Sequence, residues 1–237
     1  MKSIEVLFVA TSHDKMGDTG DKTGVWLEEL AAPYYVFMEV GANITLASPK
    51  GGKVPLDPKS QAIIIATRNT KRFLRDEVAM NLLSKSIALS EIKAENFDVI
   101  FIVGGHGPLW DLANNQNLKQ LLEAFDSEGK PIGAVCHGVV GLVSLENDKG
   151  ESLLKGKQLT GFSNSEEESA GLTKIVPFLL ETRLLSLGAL YSKGADYVNH
   201  VVTDGHFVTG QNPASSSEVA KKIVALVKHN KEATTAF

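Results

Sequence analysis

The chain has 237 residues, 43% of them apolar and 22% charged, and its 24 Lys and Arg against 28 Asp and Glu give a formal net charge of −4. The length allows a large core, as one α/β domain or two small ones, the composition is that of an ordinary globular protein, and the charge argues against nucleic acid as the main partner, which normally requires a basic face. A single cysteine excludes an internal disulfide, and nothing points to an oxidising compartment.

The first apolar run, "IEVLFVA" (4–10), reads as a buried strand. It is too short to span a membrane and lacks the small-residue cleavage site of a signal peptide, so a cytoplasmic location and no membrane partner are expected. After the loop "SHDKMGDTGDKTG" (12–24), residues 24–41 show helical spacing, with Trp26, Leu30 and Tyr34 along one side. Pro33 is expected to kink or restart that helix. "NITLASP" (43–49), "FDVIFIVGG" (97–105) and "PIGAVC" (131–136) are further strands, mostly apolar rather than alternating, as parallel strands covered on both faces are. Residues 51–94 open as a Gly- and Pro-rich loop and end in a helical run near 76–89. They read as an insertion lying against the sheet or over it as a lid, within one domain spanning 1–237. Residues 117–129 form an amphipathic helix ended by glycine. "TDGH" (203–206) is a hairpin turn, so the late strands are expected to be antiparallel, before a closing helix, "SSSEVAKKIVALVKHN".

The lone cysteine stands at a junction. "GKPIGAVCHGVVGLVSLE" (129–146) changes from strand to helix at Cys136, as a nucleophile elbow does. Gly133 and Gly138 allow the close approach such a turn needs, and the free amides of a helix start favour a thiolate. The alternative is a buried structural thiol. "VGGHGPLWD" (103–111) places consecutive glycines at the carboxyl end of a strand, where open α/β sheets bind ligands. Backbone N–H groups of Gly105 and His137 could together hold an oxyanion. His106, in the same turn, either touches substrate or is merely solvated. Glu28 and Glu29 point about 100° apart on a helix, so one should face inward. "SNSEEESAG" (163–171) reads as a solvated acidic loop. No H-x-x-x-H or C-x-x-C pair offers a closed metal site.

Taken in order, "TGVWLEELAAPYYVF", "VGGHGPLWD", "AVCHG", "LTGFSNSEEE" and "VTGQNPASS" resemble the ThiJ/PfpI superfamily over nearly the whole chain. The spacing is similar to the branch of small heat-inducible chaperones and glutathione-independent glyoxalase III enzymes. The resemblance implies a three-layer α/β/α sandwich with a mainly parallel, flavodoxin-like sheet. It also implies Cys136 as nucleophile, Glu29 as the neighbouring acid, a His137–Glu167 pair, and oxyanion donors at Gly105 and His137. Substrate would lie against Gly104, His106 and Trp26. The implied activity converts methylglyoxal and related dicarbonyls to 2-hydroxy acids, with possible deglycase activity, no metal or other cofactor, in a homodimer. A holdase for unfolded clients with Cys136 as redox sensor, or a cysteine peptidase or amidase, are the alternatives. Side chains of neighbours on a sharp turn usually diverge, so His137 is expected to tune charge rather than accept the Cys136 proton. The later H-x-E pair of class I glutamine amidotransferases is absent, which argues against glutamine hydrolysis.

Overall fold

The computed structural model describes residues 3–147 and 149–235. The apolar runs form the strands anticipated: β1 (Glu5–Val9) and β2 (Asn43–Ser48), with α1 (Leu27–Glu39) between them. One continuous α1 passes through Pro33 rather than restarting there. The proline sits beyond the first turn, where it removes the N–H that would have met the Glu29 carbonyl and its ring crowds that carbonyl.

The insertion carries α2 (Arg68–Phe73), α3 (Glu77–Ser84) and a two-residue strand, β3 (Ile87–Ala88). The helical run ends at Ser84, short of residue 89. Lys85 leaves the helical conformation, and Ile87 and Ala88 instead pair in parallel with Ala47 and Ser48. β4 (Val99–Ile102) is followed by a short α4 (Pro108–Asp111) and by α5 (Gln116–Ser127), which the Asn115 side chain caps. β5 (Ile132–Val135) then leads into a 3₁₀ helix over Cys136–Leu142.

Beyond it, β6 (Gln158–Leu159), α6 (Asn164–Ser169), α7 (Leu180–Ser186) and β7 (Leu190–Tyr191) form a small outlying unit. β8 (Val201–Asp204) and β9 (Phe207–Gly210) make the expected antiparallel hairpin, turning at Gly205 with φ +57°. The antiparallel expectation holds only there: β6 and β7 pair with each other in parallel, outside the main sheet. The chain closes with α8 (Ser216–Thr235).

The seven-stranded sheet has the order β3-β2-β1-β4-β5-β9-β8, parallel throughout except for β8. Val6 pairs with Ile44 on one side and Val99 on the other, so β1 lies inside the sheet, and its residues Val6 to Val9 are fully buried. Phe8, Phe37 and Phe101 interlock beneath α1, with Phe8 and Phe37 edge to face at 5.8 Å. α1 and α8 pack together over one face of the sheet, and α5 lies against β4 and β5 on the other. The winding reverses at β1, which opens a crevice beyond the carboxyl ends of β1, β4 and β5.

Candidate active site

Cys136 occupies the first position after β5 in a left-handed backbone conformation, φ +55°, which a non-glycine residue adopts at a cost. It is only 4% exposed. Its sulfur lies 3.5 Å from Nδ1 of His137. The expectation that these neighbours diverge is therefore wrong. The His137 ring is pinned from its far side, by a 2.6 Å hydrogen bond from Nε2 to Glu167 and by the Phe162 ring at 4.5 Å, and these hold it beside the sulfur.

Glu29 reaches the same place from the first turn of α1. The Trp26 N–H donates to the Gly104 carbonyl at 3.2 Å, tying the start of the helix to the end of β4. Trp26 itself is half-buried, and its backbone makes this link. Gly105, with φ +102°, lies so close that a Cβ there would sit 2.3 Å from the Gly24 carbonyl and 2.5 Å from the Trp26 nitrogen. A Cβ on Gly104 would fall 2.1 Å from Glu29 Oε2 and 2.9 Å from Cys136 Cβ. The missing side chain at Gly104 thus leaves the room in which the carboxyl approaches Cys136. Glu28 turns away and accepts the hydroxyl of Thr67, the residue capping α2.

Burial governs the charge of this pair. It raises the Glu29 carboxyl well above the usual carboxylate range, an effect that the nearby Cys136 sulfur and Gly104 N–H only partly offset. Neither carboxyl oxygen has a partner in full hydrogen-bond geometry. Burial likewise pushes the Cys136 thiol up, and a charged Glu29 would push it further. The simple expectation of a thiolate favoured by a helix start is corrected accordingly. The turn is a 3₁₀ helix in a dry site, and desolvation outweighs the His137 N–H that favours negative sulfur. Because burial keeps Glu29 protonated, its acid proton is available to the sulfur as the thiol ionises.

The acidic stretch 163–171 is not a solvated loop. Ser163 and Glu166 form a reciprocal capping box that starts α6. Glu166 is buried and accepts from the Tyr197 N–H and Asn212 Nδ2, each at 2.8 Å. This anchors the turn that directs Glu167 inward. Glu167 Oε1 meets His106 Nε2 at 2.9 Å while Oε2 meets His137. A carboxylate only accepts, so both imidazoles carry hydrogen on Nε2, and His137 presents a bare Nδ1 to the sulfur. His106 is thus buried against Glu167 rather than merely solvated. Burial would raise Glu167, but the two imidazole donors prevail and hold it at about 2. Burial, then His106, lowers His137 to about 4 despite Glu167, which makes it a weak base.

These directions fix an acid dependence of stability. The unfolded chain protonates His137 near 6.5, whereas the folded protein keeps it neutral down to about 4. Stability is therefore full above the unfolded value and falls as pH drops toward 4. Glu167 adds a second loss as pH falls from 4.5 toward about 2. The urea midpoint of the wild type should decline more steeply over the first window than that of His137→Asn. Equal slopes would mean that His137 titrates normally.

One donor atom from each of His106, His137 and Glu167 lies within 4.8 Å of the others, close enough to share a metal ion. Both Nε2 atoms already face Glu167, so a metal would have to displace these hydrogen bonds. A separate cavity of about 580 Å³, lined by Ser12, Lys22, Lys53, Leu56 and Met80 among others, includes none of the candidate residues.

The chain is similar to known proteins over nearly its whole length. Glyoxalase 3 of Candida albicans is 32% identical over 242 residues, covering 96% of this chain and 100% of its own. The crystal structure of glyoxalase III from Candida albicans superposes with a TM-score of 0.86 at 31% identity, covering 94% of this chain and 96% of that one. The Rapid Encystment Protein 24 KDa of Francisella tularensis superposes with a TM-score of 0.91 at 38% identity, covering 94% of this chain and 99% of that one. Residues 22–226 match the DJ-1/PfpI family, a span that holds the elbow, Glu29 and the His106–Glu167–His137 bridge, and the chain belongs to that family.

Proposed function

We propose that the protein is a glutathione-independent glyoxalase that converts methylglyoxal and related small dicarbonyls to 2-hydroxy acids. The observation that carries this reading is the buried Glu29 carboxyl beside the Cys136 sulfur, two groups whose protons can be exchanged without water. The names and coverage of the Candida albicans relatives support it.

The Cys136 thiol ionises beside the protonated Glu29, and the thiolate adds to the aldehyde carbon, forming a C–S bond while the carbonyl electron pair moves to oxygen. Backbone N–H groups of Gly105 and His137 hold that oxyanion until it takes the Glu29 proton. Glu29, now a carboxylate, removes the hydrogen from the same carbon, whose electron pair enters the carbon–carbon bond to give an enediol. Return of that proton to the neighbouring carbon, with the hydroxyl proton passing between the two oxygens, leaves a thioester. Water then cleaves the C–S bond, releasing the 2-hydroxy acid and the thiol, whose proton passes to the Glu29 carboxylate and restores the starting pair. One carbon is oxidised and its neighbour reduced, so no external redox partner is required. In this scheme Glu167 and His106 fix the His137 tautomer, and His137 limits charge near sulfur. A homodimeric, cytoplasmic enzyme fits the branch the sequence resembles.

Anaerobic incubation of the pure protein with methylglyoxal, following lactate by chiral analysis, tests the reading; absence of lactate would overturn it. The scheme uses no metal. Prolonged dialysis against a strong chelator is expected to leave turnover unchanged. Loss of turnover restored by zinc would assign the His106, His137 and Glu167 donors to a metal-dependent mechanism instead.

A further inference from the structure

The mean charge of the chain conceals a local reversal. Between residues 58 and 75 there are five cations, Lys59, Arg68, Lys71, Arg72 and Arg75, and no acid. The rest of the chain carries −9, from 19 Lys and Arg against 28 Asp and Glu. Arg68, Lys71, Arg72 and Arg75 line one shallow hollow together with Asp76. The Arg72 guanidinium is held 3.7 Å over the Tyr35 ring. Arg68, Lys71 and Arg75 enter no ion pair among the described residues.

Just before this cationic segment the backbone makes a 3₁₀ turn of three isoleucines, Ile63–Ile65. They are 90%, 93% and 44% exposed. Three adjacent aliphatic side chains project into solvent, and Ile65 lies only three residues from Arg68. The platform beneath is firm. Thr67 caps α2 and donates to Glu28, and the Tyr35 hydroxyl donates to Asp76, so the segment is fastened to α1 at both ends of α2.

We propose that residues 58–75 dock the protein on an anionic phospholipid surface. Ile63, Ile64 and Ile65 enter the boundary between headgroups and acyl chains, and Arg68, Lys71 and Arg75 pair with lipid phosphates. Aliphatic side chains beside a cationic helix are the elements that bind such a surface from one side. No helix among the described residues is long and apolar enough to cross a membrane, so the contact is peripheral. Charge decides against a second copy of the chain as occupant. A two-fold contact sets the patch on itself and would bring five cations against five. The exposed side chains decide against nucleic acid: single strands are held by aromatic stacking, and the exposed residues beside the cations are aliphatic.

Co-sedimentation of the full-length protein with vesicles tests this. The wild type is expected to bind phosphatidylcholine vesicles containing about 30% phosphatidylglycerol, and to bind pure phosphatidylcholine far less. Binding should weaken when salt is raised from about 0.1 M to about 0.5 M. Ile63→Ser with Ile64→Ser should lower the partition coefficient at least about tenfold. Lys71→Glu with Arg75→Glu should lower it at least about 25-fold, from roughly fivefold per cation. Arg72 is left in place because it packs on Tyr35, and unchanged urea midpoints would show that both double variants fold. Wild type that ignores anionic vesicles overturns the proposal, as does binding indifferent to the isoleucines. Equilibrium sedimentation supplies a further check: a dimer that Ile63→Ser with Ile64→Ser converts to monomer would assign the patch to a second copy. Tighter binding to single-stranded RNA than to the vesicles would also overturn it.

Discussion

Cys136→Ser and Glu29→Gln are each expected to lower methylglyoxal turnover by about 100-fold or more, because groups that act in one step are individually costly to lose. Serine keeps the elbow but holds its proton far more tightly than a thiol, in a site where burial already opposes ionisation. Glutamine keeps the shape of Glu29 and removes the exchangeable acid proton, leaving nothing to move hydrogen from one substrate carbon to the next. Glu28→Gln is the control. Its side chain faces Thr67 rather than sulfur, and the amide oxygen of glutamine can still accept that hydroxyl. Turnover should change less than about threefold, the size expected of a group outside the reacting step. Steady-state kinetics of the three variants decide the matter. A sensitive Glu28 beside a silent Glu29 would remove the Glu29–Cys136 pair from the chemistry.

Gly104→Ala is expected to do comparable damage through one methyl group. Its Cβ would sit 2.1 Å from Glu29 Oε2, 2.5 Å from the Val135 carbonyl and 2.9 Å from Cys136 Cβ. The carboxyl is the most mobile of these neighbours and should be driven from the sulfur, while the Val135 backbone strains the end of β5. Overpacking a close-packed site costs about 1–3 kcal/mol of stability, and misplacing a reacting group by about 1 Å can cost about 100-fold in rate. Turnover should therefore fall much further than the urea midpoint suggests. An alanine variant with full turnover would mean that Glu29 need not lie where it does.

Much of this site is legible in the sequence because its signals are local. Cys136 announces itself by a strand, a turn and flanking glycines within ten residues, whereas helical spacing leaves Glu28 and Glu29 open and only the family resemblance selects Glu29. The bridge between His106 and Glu167 joins residues 61 positions apart, and no local pattern ties one to the other. α6 was hidden differently. A run of glutamates resembles a solvated loop on composition, yet Ser163 followed three residues later by Glu166 is the capping-box spacing that begins a helix. The strands were legible because apolar runs bounded by turns have few other uses, whereas the passage of α1 through Pro33 depends on tertiary packing that local propensity does not express. The cationic, isoleucine-bearing segment is plain in the letters too, but it disappears in a chain-wide average of −4.

The main sheet also determines how this protein behaves when crowded. Open sheets carry two unpaired edges, and a long exposed edge invites further chains to add to it. Here one edge is β3, only two residues long, which leaves almost no ladder to extend. The other is β8, the single antiparallel strand, beside which the Gln158 N–H bonds the Asp204 carboxylate at 2.8 Å. Neither border offers a row of free amides long enough to seed a growing stack. Folded chains at high concentration should therefore resist strand-by-strand assembly, and aggregates that do form should require prior unfolding of the parallel centre.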